Sequence, residues 1–224
     1  DAIASTEQLP LADSGLRLHR VTMTTDVGGS LCVARQEPGR QLVLLAAPRR
    51  PGIDAAFGVV ALAEAFSALA EGLPLDVAAD ALRAGHERSP LAVHVEMALL
   101  AIDLQSVSGL STPDVALWHG DRLVALEVPG GTARPRSFGA VCPFRVARTA
   151  RVVVSMMSPR AVEQVLGGKR GLGEGLRHAW EAGGPATRNA DAWIFVVDPV
   201  AVATDPPAPD TQPQTVSTAS EPAG

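Results

Sequence analysis

The chain has 224 residues, 46% hydrophobic and 19% charged, with a formal net charge of -5. That is enough apolar material for one substantial core, which excludes a wholly disordered polypeptide. The acidic balance gives no bulk electrostatic reason to expect nucleic acid or an anionic membrane as partner, and no apolar run reaches the roughly 18 residues that span a bilayer. No charged-then-apolar leader opens the sequence, so a cytoplasmic location is expected; because it begins on Asp1 and not methionine, removal of a leader stays open. Cys32 and Cys142 are too few for a metal cluster and are expected to be buried free thiols. The single lysine, Lys169, amid abundant arginine and alanine reads as the imprint of a GC-rich genome.

In chain order, residues 1–14 are polar and read as an irregular segment, and residues 16–24 alternate well enough to form an outer strand. Gly28-Gly29 turns the chain into a short run at 31–34, and Glu37-Pro38-Gly39-Arg40 makes a hairpin-like connection onward. Leu42, Val43, Leu44 and Leu45 lack polar alternation, which predicts a strand covered on both faces. Pro48 and Pro51-Gly52 break it, and a long helix starts near Asp54. From Ala55 to Ala70 that helix carries only Glu64 and Ser67 as polar side chains, with Glu71 just beyond on the same stripe, so it is expected to be packed everywhere else until Gly72 supplies a left-handed stop. Residues 74–84 predict a second amphipathic helix, stopped by Gly85.

Residues 93–102 read as a strand that begins half exposed and ends buried, and 114–128 as two strands joined at His119-Gly120-Asp121-Arg122. A buried strand at 150–157, two short helices at 159–166 and 172–182, and a last strand at 192–197 complete the pattern. Residues 204–224 are rich in proline and cannot bury enough to order themselves, so a disordered tail is expected. The order of elements predicts an α+β fold of antiparallel sheets covered by helices, in one domain over 15–203.

Familiar catalytic patterns are missing. There is no G-x-S-x-G elbow, and Gly167-Gly168-Lys169 lacks both the first glycine and the hydroxyl residue of a phosphate loop. The five histidines show no metal-binding spacing, and the aspartates scatter over turns and strand ends, where structural roles are expected.

The layout itself carries a resemblance. The blocks GGSLCVA, LVLLAA, PRRPG, AAFGVVALAEAFSALAEG with PLDVAADALR, VEMALLAIDL, DVALWHGDRLVALEVPGG, RVVVSMM and NADAWIFVVD follow one another across residues 16–199. In order and hydrophobic pattern this resembles the metal-dependent protein phosphatases (PPM family), type 2C-like, in their bacterial stage II sporulation E variety. The resemblance implies a β-sandwich flanked by helices on both sides, with a pair of manganese or magnesium ions at one edge.

Such ions want carboxylate and water oxygens, and at the positions where the family supplies aspartates this chain departs from it. Ser30 follows the paired glycines, Ala47 ends the organising strand, and Met156 falls where Thr-Asp-Gly is expected. Only Asp191 matches a ligand position. A two-metal phosphatase without its carboxylates loses both the activated water and the phosphoryl clamp. The resemblance therefore implies a pseudophosphatase with no bound cofactor, a regulatory or structural subunit that binds another protein in a bacterial signalling or assembly system. Arg49 and Arg50, in the turn where ligands are expected, and Arg160 are candidate phosphate or partner contacts; simple solvation of a surface turn is the plain alternative. Two other readings stay open. One is an active serine/threonine phosphatase whose manganese or magnesium is held by displaced carboxylates such as Asp26, Asp54 or Asp191; the other is an unrelated α+β binding module.

Overall fold

Ala2–Gln8 (β1) pairs antiparallel with Leu16–Met23 (β2), the first two strands of a sheet that the rest of the chain closes from both sides. The computed structural model describes residues 2–8, 15–23, 29–48, 52–88, 95–112, 115–124, 126, 141–182 and 192–200. Leu31–Glu37 (β3) and Arg40–Pro48 (β4) form a hairpin whose Gly39 takes a φ of 77°, as its tight turn requires. Ile53–Ser67 (α1) and Leu75–Glu87 (α2) follow, then Val95–Ile102 (β5), Ser106–Ser111 (β6), Ala116–His119 (β7) and Arg122–Val124 (β8). Cys142–Ala147 (β9), Val152–Ser155 (β10), Pro159–Leu166 (α3), Leu172–Ala182 (α4) and Ala192–Val197 (β11) finish the described chain.

The strands make two antiparallel sheets, ordered β1-β2-β11-β10-β7-β8 and β3-β4-β5-β6-β9. Alternation along each strand then divides the core into three layers. Val43, Leu45, Ala98, Leu100, Leu18, Val154 and Phe195 meet between the sheets. On the outer side of the five-stranded sheet, Leu42, Leu44, Met97 and Leu99 pack under Leu62, Phe66 and Leu82 of α1 and α2. Val153, Ile194 and Val196 take Val162, Val165, Leu176 and Trp180 of α3 and α4 on the other outer side. The molecule is an α+β sandwich with helices on both faces, as the sequence predicts. β4 is buried on both faces, and so are β10 and β11. Both cysteines are free thiols, Cys142 buried and Cys32 half-buried.

Several expectations need correction. Residues 2–8 are a strand, not an irregular segment, so β2 is not at the sheet's edge. α1 ends at Ser67, and Gly72, with φ 73°, turns the α1–α2 connection instead of stopping the helix. Gly85 lies inside α2, because a Cβ there would stand 2.8 Å from the Ala65 side chain; the two helices meet where glycine has no side chain. α1 is not packed all round: Ile53, Phe57 and Val60 are 65%, 54% and 52% exposed. β5 is buried from its start, Glu96 included. β6 and β9 were not foreseen. The expected tail at 204–224 lies outside the described residues.

Candidate functional site

Inward-facing positions can be followed to one end of the inter-sheet layer, the end where β4 finishes and β11 begins. Val43 and Leu45 point between the sheets, so Ala47 does too; Ala98 and Leu100 do the same for Glu96. Ala47 and Glu96 are register partners, and each is only 3% exposed. Leu31 pairs with Ala46, which sets Ser30 beside Ala47. On the facing sheet, Trp193 pairs with Arg20, and Met156, just past β10, packs against the inter-sheet cluster. Arg20 Nη1 donates to the Ser30 carbonyl at 3.2 Å, joining the two sheets at this rim.

The backbone leaving β10 is fixed by Ser155, whose Oγ donates to the Trp193 carbonyl at 2.7 Å and accepts from the Met157 amide at 3.1 Å. Ser158 then caps α3 through the Ala161 amide, with Pro159 in the first turn, where its missing N–H is no loss. Arg160 stands exposed in that turn. Ser111 Oγ and Trp193 Nε1 are buried without a hydrogen-bond partner among the described residues.

The fold thus gathers Ser30, Ala47 and Met156 at one rim. Asp191, Arg49 and Arg50 lie outside the described residues, as does Asp26. Asp54 is exposed in the first turn of α1. Sequence reasoning missed Glu96, Arg20 and Trp193. The readable signal for Glu96 was a lone carboxylate in an otherwise apolar strand, VEMALLAI. Among the described residues no three of His, Cys, Asp and Glu converge on a possible metal position. A methyl at Ala47, a hydroxyl at Ser30 and an apolar-packed thioether at Met156, with the Arg20 guanidinium nearby, do not fit a pair of hard divalent cations.

No family model matches this sequence, and no curated protein matches it. Solved structures do. RsbX in complex with magnesium aligns with a TM-score of 0.59 over 87% of this chain and 98% of that one, at 10% identity. The PP2C phosphatase domain of the cell-fate determinant SpoIIE from Bacillus subtilis gives 0.57 over 90% and 71%, at 12% identity. PppA, a key regulatory component of T6SS in Pseudomonas aeruginosa, gives 0.55 over 84% and 99%, at 13% identity. The fold is that of the bacterial PP2C-like phosphatases. No described helix is long and apolar enough to cross a membrane.

Proposed function

We propose that this PP2C-like domain is a pseudophosphatase, a non-catalytic member of its fold class that works by binding another protein as a regulatory or structural subunit. One observation carries the reading. The rim positions Ser30, Ala47 and Met156 hold no carboxylate, and Met156 turns its thioether into the inter-sheet core. A two-metal hydrolase needs oxygen ligands to create its nucleophile and to neutralise the phosphoryl oxygens. Glu96, the one buried carboxylate there among the described residues, is too little to hold two ions, and Asp191 would add one more.

A binding role is further supported by α1. Ile53, Phe57 and Val60 recur at helical spacing and form an exposed apolar stripe on the helix that follows the rim turn. Arg49 and Arg50, just before that helix in sequence, and Arg160 supply positive charge for a partner's acidic or phosphorylated segment. PppA is a regulatory component of a larger system, a context consistent with a protein partner here. We take the domain to run from β1, which pairs with β2, to about residue 203, and to work in a bacterial cytoplasm.

The test is activity with metal. Purified protein given manganese or magnesium, with p-nitrophenyl phosphate or a phosphoserine peptide, is expected to show no metal-dependent turnover and no calorimetric heat of metal binding. Manganese-dependent turnover that disappears in Glu96→Gln would replace this reading with an active phosphatase built on a rearranged carboxylate set.

A further inference from the structure

Helices α3 and α4 lie side by side, α4 over β2, β1 and β11, and between the two helices runs a groove of about 480 Å³. Its walls carry Lys169, Arg170, His178 and the amide of Gln164, and its floor is Gly175 and Ala179 of α4. Among the described residues no carboxylate lines it. The side chains of Lys169, Arg170, His178 and Gln164 make no hydrogen bond or ion pair among the described residues. Charges of one sign around a concave, partly apolar surface raise the local concentration of an anionic ligand. The apolar floor adds a preference for small hydrophobic groups over a bare ion.

The chain itself contains such a ligand. Residues 201–224 carry Asp205, Asp210 and Glu221 and no Lys, Arg or His, with five prolines and several alanines between them. Their point of departure is fixed. Asp198 is held by Arg17 at 2.5 Å and Arg151 at 3.3 Å, its amide donates to the Gly15 carbonyl, and the Val200 amide donates to the Arg148 carbonyl. β11, which this segment leaves, is one of the strands beneath α4, and its Ile194 and Val196 share an apolar cluster with Leu176 and Trp180. At ~3.1 Å per residue for an extended proline-rich chain, Asp205 and Asp210 reach about 15 and 30 Å from Val200. The 11 residues of α4 span about 16 Å, so the whole groove lies within reach.

We propose that the α3–α4 groove is the docking site for residues 201–224 of the same chain, with Lys169 and Arg170 pairing the carboxylates and the floor taking the proline and alanine side chains. Tethering sets an effective concentration in the millimolar range, so contacts too weak to hold a free peptide suffice in cis. The proposal is independent of whether the rim binds metal.

The chain's single lysine makes the test clean. A carbodiimide adds to a carboxyl group as an O-acylisourea, and the Lys169 amine attacks its carbonyl to form an amide while the carbodiimide leaves as the urea that carries the carboxyl oxygen. Full-length protein treated this way is expected to yield, in its monomeric fraction, peptides in which Lys169 is joined to Asp205, Asp210 or Glu221. The amide resonances of Gly168 and Gly175 in the full chain are expected to shift when the segment is neutralised by Asp205→Asn, Asp210→Asn and Glu221→Gln. About 0.5 M salt, which screens exposed charge, is expected to produce the same shift. Reversing the groove with Lys169→Glu and Arg170→Glu is expected to shift these resonances too, and changing the three acidic residues to lysine in that background to return them. The proposal is overturned if Lys169 is joined only to carboxylates of the folded domain or to a second chain, or if neutralising the segment leaves the resonances in place. It is equally overturned if inorganic phosphate moves them while the three substitutions do not, which would make the groove a small-anion site.

Discussion

Glu37 closes the β3–β4 hairpin onto the α1–α2 connection. Its side chain is fully buried, accepts from Arg35 and from Arg40 at 2.7 Å, and takes the Gly72 amide at 3.3 Å. The same arginines reach beyond it. Arg35 donates to the Leu69 and Ala70 carbonyls just past α1 and lies over the Phe66 ring at 5.5 Å, while Arg40 donates to the Leu73 carbonyl. Burial alone would raise the Glu37 pKa, but the hydrogen bonds from Arg40 and Arg35 outweigh it and hold the carboxyl below its ordinary value of 4.5. A carboxylate whose folded-state pKa is depressed stabilises the fold above the unfolded value, and that contribution is lost as pH falls through the folded value. Removing one partner of a buried pair costs ~3–5 kcal/mol, and the partly hydrated arginines reduce that here. Glu37→Gln is therefore expected to lose about 2–3 kcal/mol at pH 7 by urea unfolding. The difference from wild type should shrink below pH 4.5. A constant difference down to pH 2 would show that the carboxylate's charge is not what matters. The hairpin was readable from Glu37-Pro38-Gly39-Arg40, but this cluster was not, because Gly72 lies 35 residues away and no local pattern links it to Glu37.

Elements that declare themselves by periodicity were the readable ones. β4, β10, β11 and the helices α1, α2, α3 and α4 follow from apolar runs or helical spacing. β6 escaped because SVSGLS is small and polar, yet it is buried: Phe144 of β9 lies over Gly109, where a Cβ would meet its ring at 2.4 Å. β9 escaped because Pro143 argues against a strand, although an edge strand tolerates it. In α1 the polar side chains Glu64 and Ser67 mark one solvent stripe near its end, which predicts packing everywhere else, yet Ile53, Phe57 and Val60 are exposed as well. The structure separates Phe66, 2% exposed, from Phe57, 54% exposed. Phe66→Ala is expected to cost roughly 3–5 kcal/mol, while Phe57→Ser should change stability by less than about 0.5 kcal/mol, both read by chemical denaturation. Equal losses would show that α1 faces the other way. Gly85→Ala sets two effects against each other. Alanine gains up to ~1 kcal/mol of helix propensity, but overlap with Ala65 costs about 1–3 kcal/mol where neighbouring helices cannot separate, so net destabilisation is expected. A higher melting temperature for that variant would mean that α1 and α2 part easily.

At the scale of the whole molecule, the rim is where the two sheets meet, so what is buried there bears on global stability as well as on chemistry. The order of the blocks around Ser30, Ala47 and Met156 was readable, and the fold brings these three positions to one end of the inter-sheet layer. Its filling was not, because Trp193, Arg20 and Glu96 approach from strands remote in sequence. If the rim descends from a cation site, restoring carboxylates should make stability depend on metal. Ala47→Asp with Met156→Asp places two carboxyl groups among buried apolar atoms, beside Glu96. Unpaired charges in such a place are strongly unfavourable, so in chelator the double variant is expected to melt well below wild type. A divalent ion that binds only the folded state stabilises it by RT ln(1 + [L]/Kd), about 2.7 kcal/mol at a hundredfold excess over Kd. Manganese should therefore recover much of the loss in the double variant and leave the wild-type melting temperature unmoved. Thermal unfolding of both proteins in chelator, manganese and calcium separates the cases. A wild type stabilised by manganese would mean that carboxylates such as Asp191 and Glu96 already hold an ion. A double variant that stays destabilised in every metal would mean that the surrounding residues no longer keep the geometry a cation needs, and that the rim now serves only to close the sandwich.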